Sequence, residues 1–277
     1  MRTNSLCART ENVYVVAVDA NARLAALTGL LQRDGRVEVA EAAEAFGTAE
    51  MTVRRDLDRL VAMGMARRVR GGAISLLMRG DELPFAMRAL EHAEAKARIG
   101  AAVADVLRDG EAVLLDSGTT SVAVGRALAG RRLTVMALSL HVATVLSAGA
   151  AGAAGAAGES VRLLVCGGEA RPGELAMVGP IALAGIAALR FDTAVLAPCG
   201  LAGGQITAHD LGDAAVKRAM IAASARVVVA ADGSKFGQTA LAVVSAVGAV
   251  DMVITDATAP GDALDALRAA GVEVRCA

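Results

Sequence analysis

Aromatic side chains make up only 2 % of the 277 residues, and tryptophan is missing altogether. The 55 % hydrophobic content therefore rests on alanine, valine and leucine, and the mean hydropathy of +0.51 reflects many small residues rather than long greasy segments. No apolar run reaches the roughly 20 residues that a membrane-spanning helix needs, so no membrane association is expected. The four cysteines, Cys7, Cys166, Cys199 and Cys276, are scattered without C-x-x-C spacing, which speaks against a structural zinc site and a disulfide framework alike. His92, His141 and His209 stand too far apart to form a ligand set, and no metal or cofactor is expected. The first twenty residues show no convincing cleavage pattern and read as an atypical extension of a cytoplasmic protein.

Net charge is also nearly absent, at −1, but its distribution is uneven. Residues 51–80 hold seven arginines against two acids, a local excess of +5, and such a patch is built to meet an anion. The surrounding pattern says which one. "NARLAALTGLLQRDG" repeats apolar residues at Leu24, Leu27, Leu30 and Leu31 and stops at Asp34-Gly35, which predicts a first helix. "VEVAEAAEAFG" predicts a second, with Val39, Ala42, Ala43 and Phe46 inward. "TAEMTVRRDLDRLVAMG" predicts a third, closed by Gly64. On that third helix Val53, Leu57, Leu60, Val61 and Gly64 share one side, while Thr52, Arg55 and Arg59 face the other and Arg54 lies on the flank within reach of Asp58. "MARRVRGGAISL" then predicts two short strands about Arg70-Gly71-Gly72. Three helices and a hairpin form a winged helix-turn-helix, whose third helix enters the major groove of double-stranded DNA. The expected DNA contacts are Thr52, Arg54, Arg55 and Arg59 on the helix. Arg67, Arg68, Arg70, Gly71 and Gly72 complete the set on the wing, with the glycines allowing close approach to a backbone.

From Met78 to Ala95 the chain reads as a linker running into a helix. Thereafter "EAVLLD", "LTVMAL", "VRLLVCGG", "TAVLAPCG", "ARVVVAAD" and "VDMVITD" are short valine- and leucine-rich runs separated by alanine-rich helical stretches. Such alternation predicts a doubly wound, largely parallel α/β sheet covered on both faces. "GAAGAAGAAG", residues 149–158, reads as a flexible surface insertion. The expected division is an extension over 1–20, a winged helix-turn-helix over 21–77, a linker over 78–95 and an α/β domain over 96–277.

In the second domain "AVLLDSGTTSVAVGRAL" ends a strand at Asp116, turns through Ser117 to Thr120 and starts a helix near Ser121. Backbone N–H groups and the hydroxyls of Thr119, Thr120 and Ser121 then meet at a helix N-terminus, where dipole and hydrogen bonds together favour a phosphate. The turn matches neither a Walker loop nor a dinucleotide fingerprint, so a small phosphorylated metabolite fits better than a nucleotide. Ligands of open α/β sheets bind beyond the carboxyl ends of the strands. Gly118, Gly167, Gly168, Asp232 and Lys235 are expected there, with Lys217 as a weaker candidate more in keeping with a solvated surface lysine.

"MTVRRDL", "RRVRGGA", "LDSGTT", "CGGE", "DGSKFG" and "VDMVITD", in this order, resemble the DeoR family of bacterial transcription regulators over roughly residues 21–256. The resemblance implies a winged helix-turn-helix joined to a sensor similar to sugar-phosphate isomerases, in a homodimer or homotetramer that represses carbohydrate-use genes until a phosphorylated sugar binds. It assigns Thr52, Arg54 and Arg55 to DNA reading, Gly71 and Gly72 to the wing, Asp116, Gly118, Thr119 and Thr120 to the phosphate turn, and Lys235 to a sensor-site cation. Two departures stand out. Ala49 replaces the usual serine before the recognition helix, so the cap passes to Thr48 or is lost at about 1 kcal/mol. Ala137-Leu138 replaces the usual Thr-Asn and removes two polar groups from one rim of the pocket. The alternative reading is an isomerase-like enzyme using Asp116, Asp232 and Lys235 as acid and base.

Overall fold

A computed structural model describes residues 20–76, 83–152 and 161–277. The extension before residue 20 and most of the glycine-alanine repeat lie outside them. The chain divides into two compact units, one ending at Arg79 and the other beginning at Gly80.

The first unit runs α1 (Ala20–Asp34), β1 (Arg36–Glu38), α2 (Val39–Ala45), α3 (Glu50–Ala62), β2 (Ala66–Val69) and β3 (Gly72–Ser75). Leu27, Leu31, Val53, Leu57 and Leu60 are fully enclosed, each contributing roughly 1.5–3 kcal/mol. The hairpin β2–β3 forms as expected, and β1, too short to leave a sequence signal, joins it to give the order β1-β3-β2. This changes the role of Gly72. A Cβ there would stand 1.9 Å from the Val37 carbonyl oxygen. Gly72 is buried against β1, so the close approach it permits is to its own sheet and not to DNA. One further contact was invisible in the sequence: Arg23 of α1 donates to Asp56 of α3 at 2.6 Å, both side chains nearly enclosed.

The second unit begins with α4 (Phe85–Leu90) and α5 (Ala93–Val106). The stretch read as linker thus carries a helix of its own, because Met87 and Arg88 bury into this unit. There follow β4 (Ala112–Leu115), α6 (Thr119–Ala127), β5 (Thr134–Ala137), α7 (Leu140–Gly152), β6 (Arg162–Val165), β7 (Glu169–Ala170), β8 (Met177–Val178), α8 (Gly179–Ala187) and β9 (Phe191–Leu196). The chain closes with β10 (Gly200–Ala202), β11 (Gln205–Ala208), α9 (Leu211–Ala223), β12 (Ser224–Ala230), β13 (Ala242–Ala246), β14 (Met252–Thr255), α10 (Gly261–Ala269) and β15 (Glu273–Cys276).

Seven of these strands form one parallel sheet in the order β15-β14-β12-β9-β4-β5-β6. Its alternation is strict. Val113 and Leu115 join the core under α5, α6 and α7, whereas Leu114 between them joins the core under α8, α9 and α10, as period-two side chains on a doubly covered sheet must. From β4 the order runs through β5 to β6 in one direction and from β9 through β12 in the other, so the topological switch lies between β4 and β9. The antiparallel sheet β10-β11-β13 and the hairpin β7–β8 were not anticipated, although the Gly203-Gly204 pair joining β10 to β11 is a two-residue hairpin signature.

The Arg23–Asp56 pair generates a prediction. Replacing Asp56 by Ala leaves Arg23 with a lost counter-ion in a dry place, at an expected cost of about 3 kcal/mol to the first unit. Calorimetry of this variant should show the first unit melting earlier while the second is unmoved; an unshifted transition would refute the importance of the pair.

Candidate functional site

The outward face of α3 carries Arg54, Arg55 and Arg59, all exposed, with Thr52 half-buried at its upper edge. The helix has Ala49 at its N-cap and no side-chain cap bond, so of the two outcomes expected for that position the cap is lost. Several of the arginines are occupied. Arg54 pairs backwards with Glu50 at 2.8 Å instead of forwards with Asp58, because Asp58 is taken by Arg68 of β2 at 3.2 Å. Arg59 lies 4.0 Å from Asp56. Among the described residues Arg55, Arg67 and Arg70 carry no ion pair, and all three are exposed. Gly71 adopts φ +84° at the wing turn and is exposed too.

In the second unit the switch between β4 and β9 is built on one residue. Asp116, directly after β4, accepts the backbone amide of Ala197, directly after β9, at 2.8 Å. It also accepts from the Ser117 amide at 2.8 Å and from the Lys217 ammonium at 3.0 Å. Lys217 is supplied by α9 and held a second time by Asp213, one turn earlier, at 2.7 Å. The Asp210 side chain caps that helix by accepting from the Asp213 amide. Lys217 is 1 % exposed, so its reading as a solvated surface lysine is corrected: two carboxylates compensate the desolvation that would otherwise exclude it. Burial alone would lower its pKa, but Asp116 and then Asp213 overcome that and hold the ammonium charged well above the ordinary lysine range. Burial likewise pushes the Asp116 carboxyl up, against the pull of Lys217. Both Asp116 oxygens are thus engaged within the fold.

The residues after Asp116 form the turn into α6. Gly118, at φ +95°, is the N-cap and no side chain caps the helix. The helix starts two residues earlier than expected, which places Thr119, Thr120 and Ser121 all in its first turn. The Ser121 hydroxyl is buried with no hydrogen-bond partner. Asp232 stands two residues beyond the end of β12, a strand two places from β4 and thus about 10 Å away by strand spacing. One of its carboxylate oxygens accepts from Ser234 while the other, Oδ2, is buried and unpartnered. Lys235 follows in a short 3₁₀ turn, half-buried and without an ion pair among the described residues. Gly167 and Gly168 follow the edge strand β6, two strands from β4 on its other side, and a Cβ on Gly168 would meet the Val178 carbonyl at 2.8 Å. The β5 rim is apolar, with Ala137 and Leu138 both buried in the sheet cores. Asp213 was missed although its i,i+4 spacing to Lys217 was available in "DAAVK". Lys96, 5 % exposed on α5, gave no such signal. Burial pulls its ammonium down to about 8, opposed by Asp232. No group of histidine, cysteine, aspartate and glutamate able to hold a metal occurs among the described residues, and no helix among them is long and apolar enough to cross a membrane.

Comparison with known proteins accounts for both units. Residues 23–77 match the DeoR-like helix-turn-helix domain and residues 91–257 the DeoR C terminal sensor domain. The chain is 33 % identical to the transcriptional repressor AccR of Agrobacterium fabrum, over 84 % of this chain and 88 % of that protein. It is 31 % identical to the glycerol-3-phosphate regulon repressor of Escherichia coli, over 86 % and 91 %. Among solved structures, ribose 5-phosphate isomerase A of Methanocaldococcus jannaschii is similar at a TM-score of 0.38 and 12 % identity, over 53 % of this chain and 55 % of that one.

The buried triad yields a prediction whose sign can be worked out. Replacing Lys217 by Met should remove about 3 kcal/mol or more from the unfolding free energy of the second unit near neutral pH, because two carboxylates stay buried without a counter-ion. A carboxyl whose folded pKa is raised binds its proton more tightly folded than unfolded, so its contribution is present at low pH and is lost as pH rises. The variant should therefore regain stability between about pH 7.5 and about pH 5.5 relative to the parent. Urea denaturation at both values checks this, and an unchanged difference between variant and parent would contradict it.

Proposed function

The chain belongs to the DeoR family of transcriptional regulators, and on that premise we propose that it is a repressor of carbohydrate-metabolism genes, released from its operator by a phosphorylated sugar. The observation that carries the sensor half of this reading is the uncapped N-terminus of α6 with the unpartnered Ser121 hydroxyl in its first turn, together with the unpartnered Asp232 oxygen beyond the end of β12. Main-chain amides at such a terminus suit a phosphate, and a lone carboxylate oxygen with a nearby lysine suits the hydroxyl groups of a sugar. The names borne by the relatives, one of them a glycerol-3-phosphate regulon repressor, agree in chemical class.

On the DNA side Arg55 is the strongest candidate for a base-edge contact, being outward on α3 and unpaired among the described residues, while Arg67 and Arg70 of the wing suit phosphates. Arg54 and Arg68 would first have to give up Glu50 and Asp58. An enzymatic role is disfavoured by the same geometry: Asp116 and Lys217 neutralise each other out of water and leave no accessible acid–base pair between them. Release would require the effector to bind two arrangements of a homodimer or homotetramer with different affinity.

Fluorescence anisotropy on the DNA upstream of the chain's own gene, with a panel of sugar phosphates, tests both halves. Arg55→Ala should weaken operator binding by about tenfold or more without altering the midpoint of effector release. Lys235→Ala should leave operator affinity intact and raise the ester concentration needed for release. Unchanged operator affinity in the first variant would remove Arg55 from the interface, and an unchanged release midpoint in the second would remove Lys235 from the sensor.

A further inference from the structure

A cavity of about 550 Å³ opens between α4, α5 and α6, within the size range of small-molecule sites. Its wall is largely apolar, with Phe85, Leu90 and Val122 among the lining residues. Its polar lining consists of Lys96, Arg126 and the Thr119 that begins α6, and among the described residues no carboxylate lines it. Two cations and a helix N-terminus around an otherwise apolar space select for an anion with a carbon skeleton.

Lys96 has a second occupation. Its ammonium donates to the carbonyl oxygens of Arg88 and Glu91, the last turn and C-cap of α4, where the negative end of a helix dipole favours a cation. The helix so held is the one through which the chain enters the second unit. Its other anchors are side-chain contacts: Arg88 forms an enclosed ion pair with Glu174, and the Phe85 ring stacks on His141 with centroids 3.9 Å apart. The position of Lys96 is fixed, because a Cβ on Gly100, one turn along α5, would meet the Ala123 carbonyl of α6 at 2.7 Å. The two helices touch backbone to backbone there. Lys96 and Thr119 therefore stand on a rigid pair of helices, and α4 lies against that pair.

We propose that Lys96 is an effector-binding residue, and that on binding it exchanges the α4 carbonyls for the anionic group of the ligand seated against Thr119. The proposal rests on the sensor reading given above and adds to it a residue and a route. Binding withdraws the cation from the C-terminal end of α4, the first helix of the second unit. Burial already depresses the charge on Lys96, with Lys235 acting in the same direction and Asp232 against it, so an arriving dianion is a stronger partner for the ammonium than two neutral carbonyls.

The test uses the full chain on its upstream DNA, titrated with glycerol 3-phosphate, glucose 6-phosphate and inorganic phosphate, with hydrogen exchange of residues 85–92 followed in parallel. For the parent, one of the esters should release DNA and speed exchange at the end of α4. Lys96→Gln keeps hydrogen-bond donors for the carbonyls but no charge. Its release midpoint, read against its own ligand-free operator affinity, should rise by about tenfold or more, the loss expected for a charge-assisted hydrogen bond. An unchanged midpoint in this variant overturns the assignment of Lys96. Should the variant not fold, the parent alone decides: ester-driven release with unaltered exchange at residues 85–92 overturns the exchange of partners. If no ester releases the parent, the sensor reading falls and this inference with it.

Discussion

Lys217 carries its charge where almost no water reaches, and much of the second unit is arranged so that it can. One ammonium is shared by two carboxylates from different places, Asp213 on its own helix and Asp116 at the end of β4. Asp116 in turn holds the first amide after β9. The strand pair on either side of the topological switch is thereby tied to α9, the helix that covers one face. Such a cluster adds little net stability, because desolvation consumes most of the Coulombic gain. What it does is penalise every arrangement in which the three groups do not meet. The turn after β4 is placed by that requirement, and the start of α6 with it.

The first unit uses the same device once, in Arg23–Asp56, to lock α1 to the recognition helix. Its remaining arginines are treated differently. Part of the positive charge is already answered within the unit by Glu50 and Asp58, so the surface is less electropositive than a count of arginines suggests. Exposed pairs of this kind are weak and yield readily to phosphate. They lower the attraction for arbitrary polyanions more than they lower the attainable affinity for a well-fitted site.

Where the amino-acid pattern was legible, a local cause lay behind it. Six of the seven parallel strands announced themselves as runs of valine and leucine, five of them because they are buried on both faces and the edge strand β6 although it is largely uncovered. The seventh, Glu273–Cys276, is a mostly exposed edge and spells E-V-R-C. The strand β1 is three residues long and exists because β3 is there to pair with. The turn between β4 and α6 was readable since strand end, glycine and hydroxyls are consecutive. Lys217 was misjudged for the opposite reason: its decisive partner lies 101 residues away, and a lysine by itself is usually solvated. Asp56 entered the sequence reading only as one charge in a count, and its burial is visible only where the fold brings Arg23 against it. Gly72 was rightly singled out for a close approach, but which backbone it approaches is a matter of tertiary structure.

The bare N-terminus of α3 has a consequence of its own. A serine at position 49 would offer its hydroxyl to a first-turn amide, whereas Ala49 offers none and the Thr52 amide turns instead to the Ala49 carbonyl at 2.9 Å. The helix therefore begins without a side-chain cap. Amides in that position are good donors to a phosphate oxygen, so a DNA backbone laid across the start of α3 would complete the helix as it binds. Part of the order of the reading head is then lent by the duplex it reads, and is given back on release.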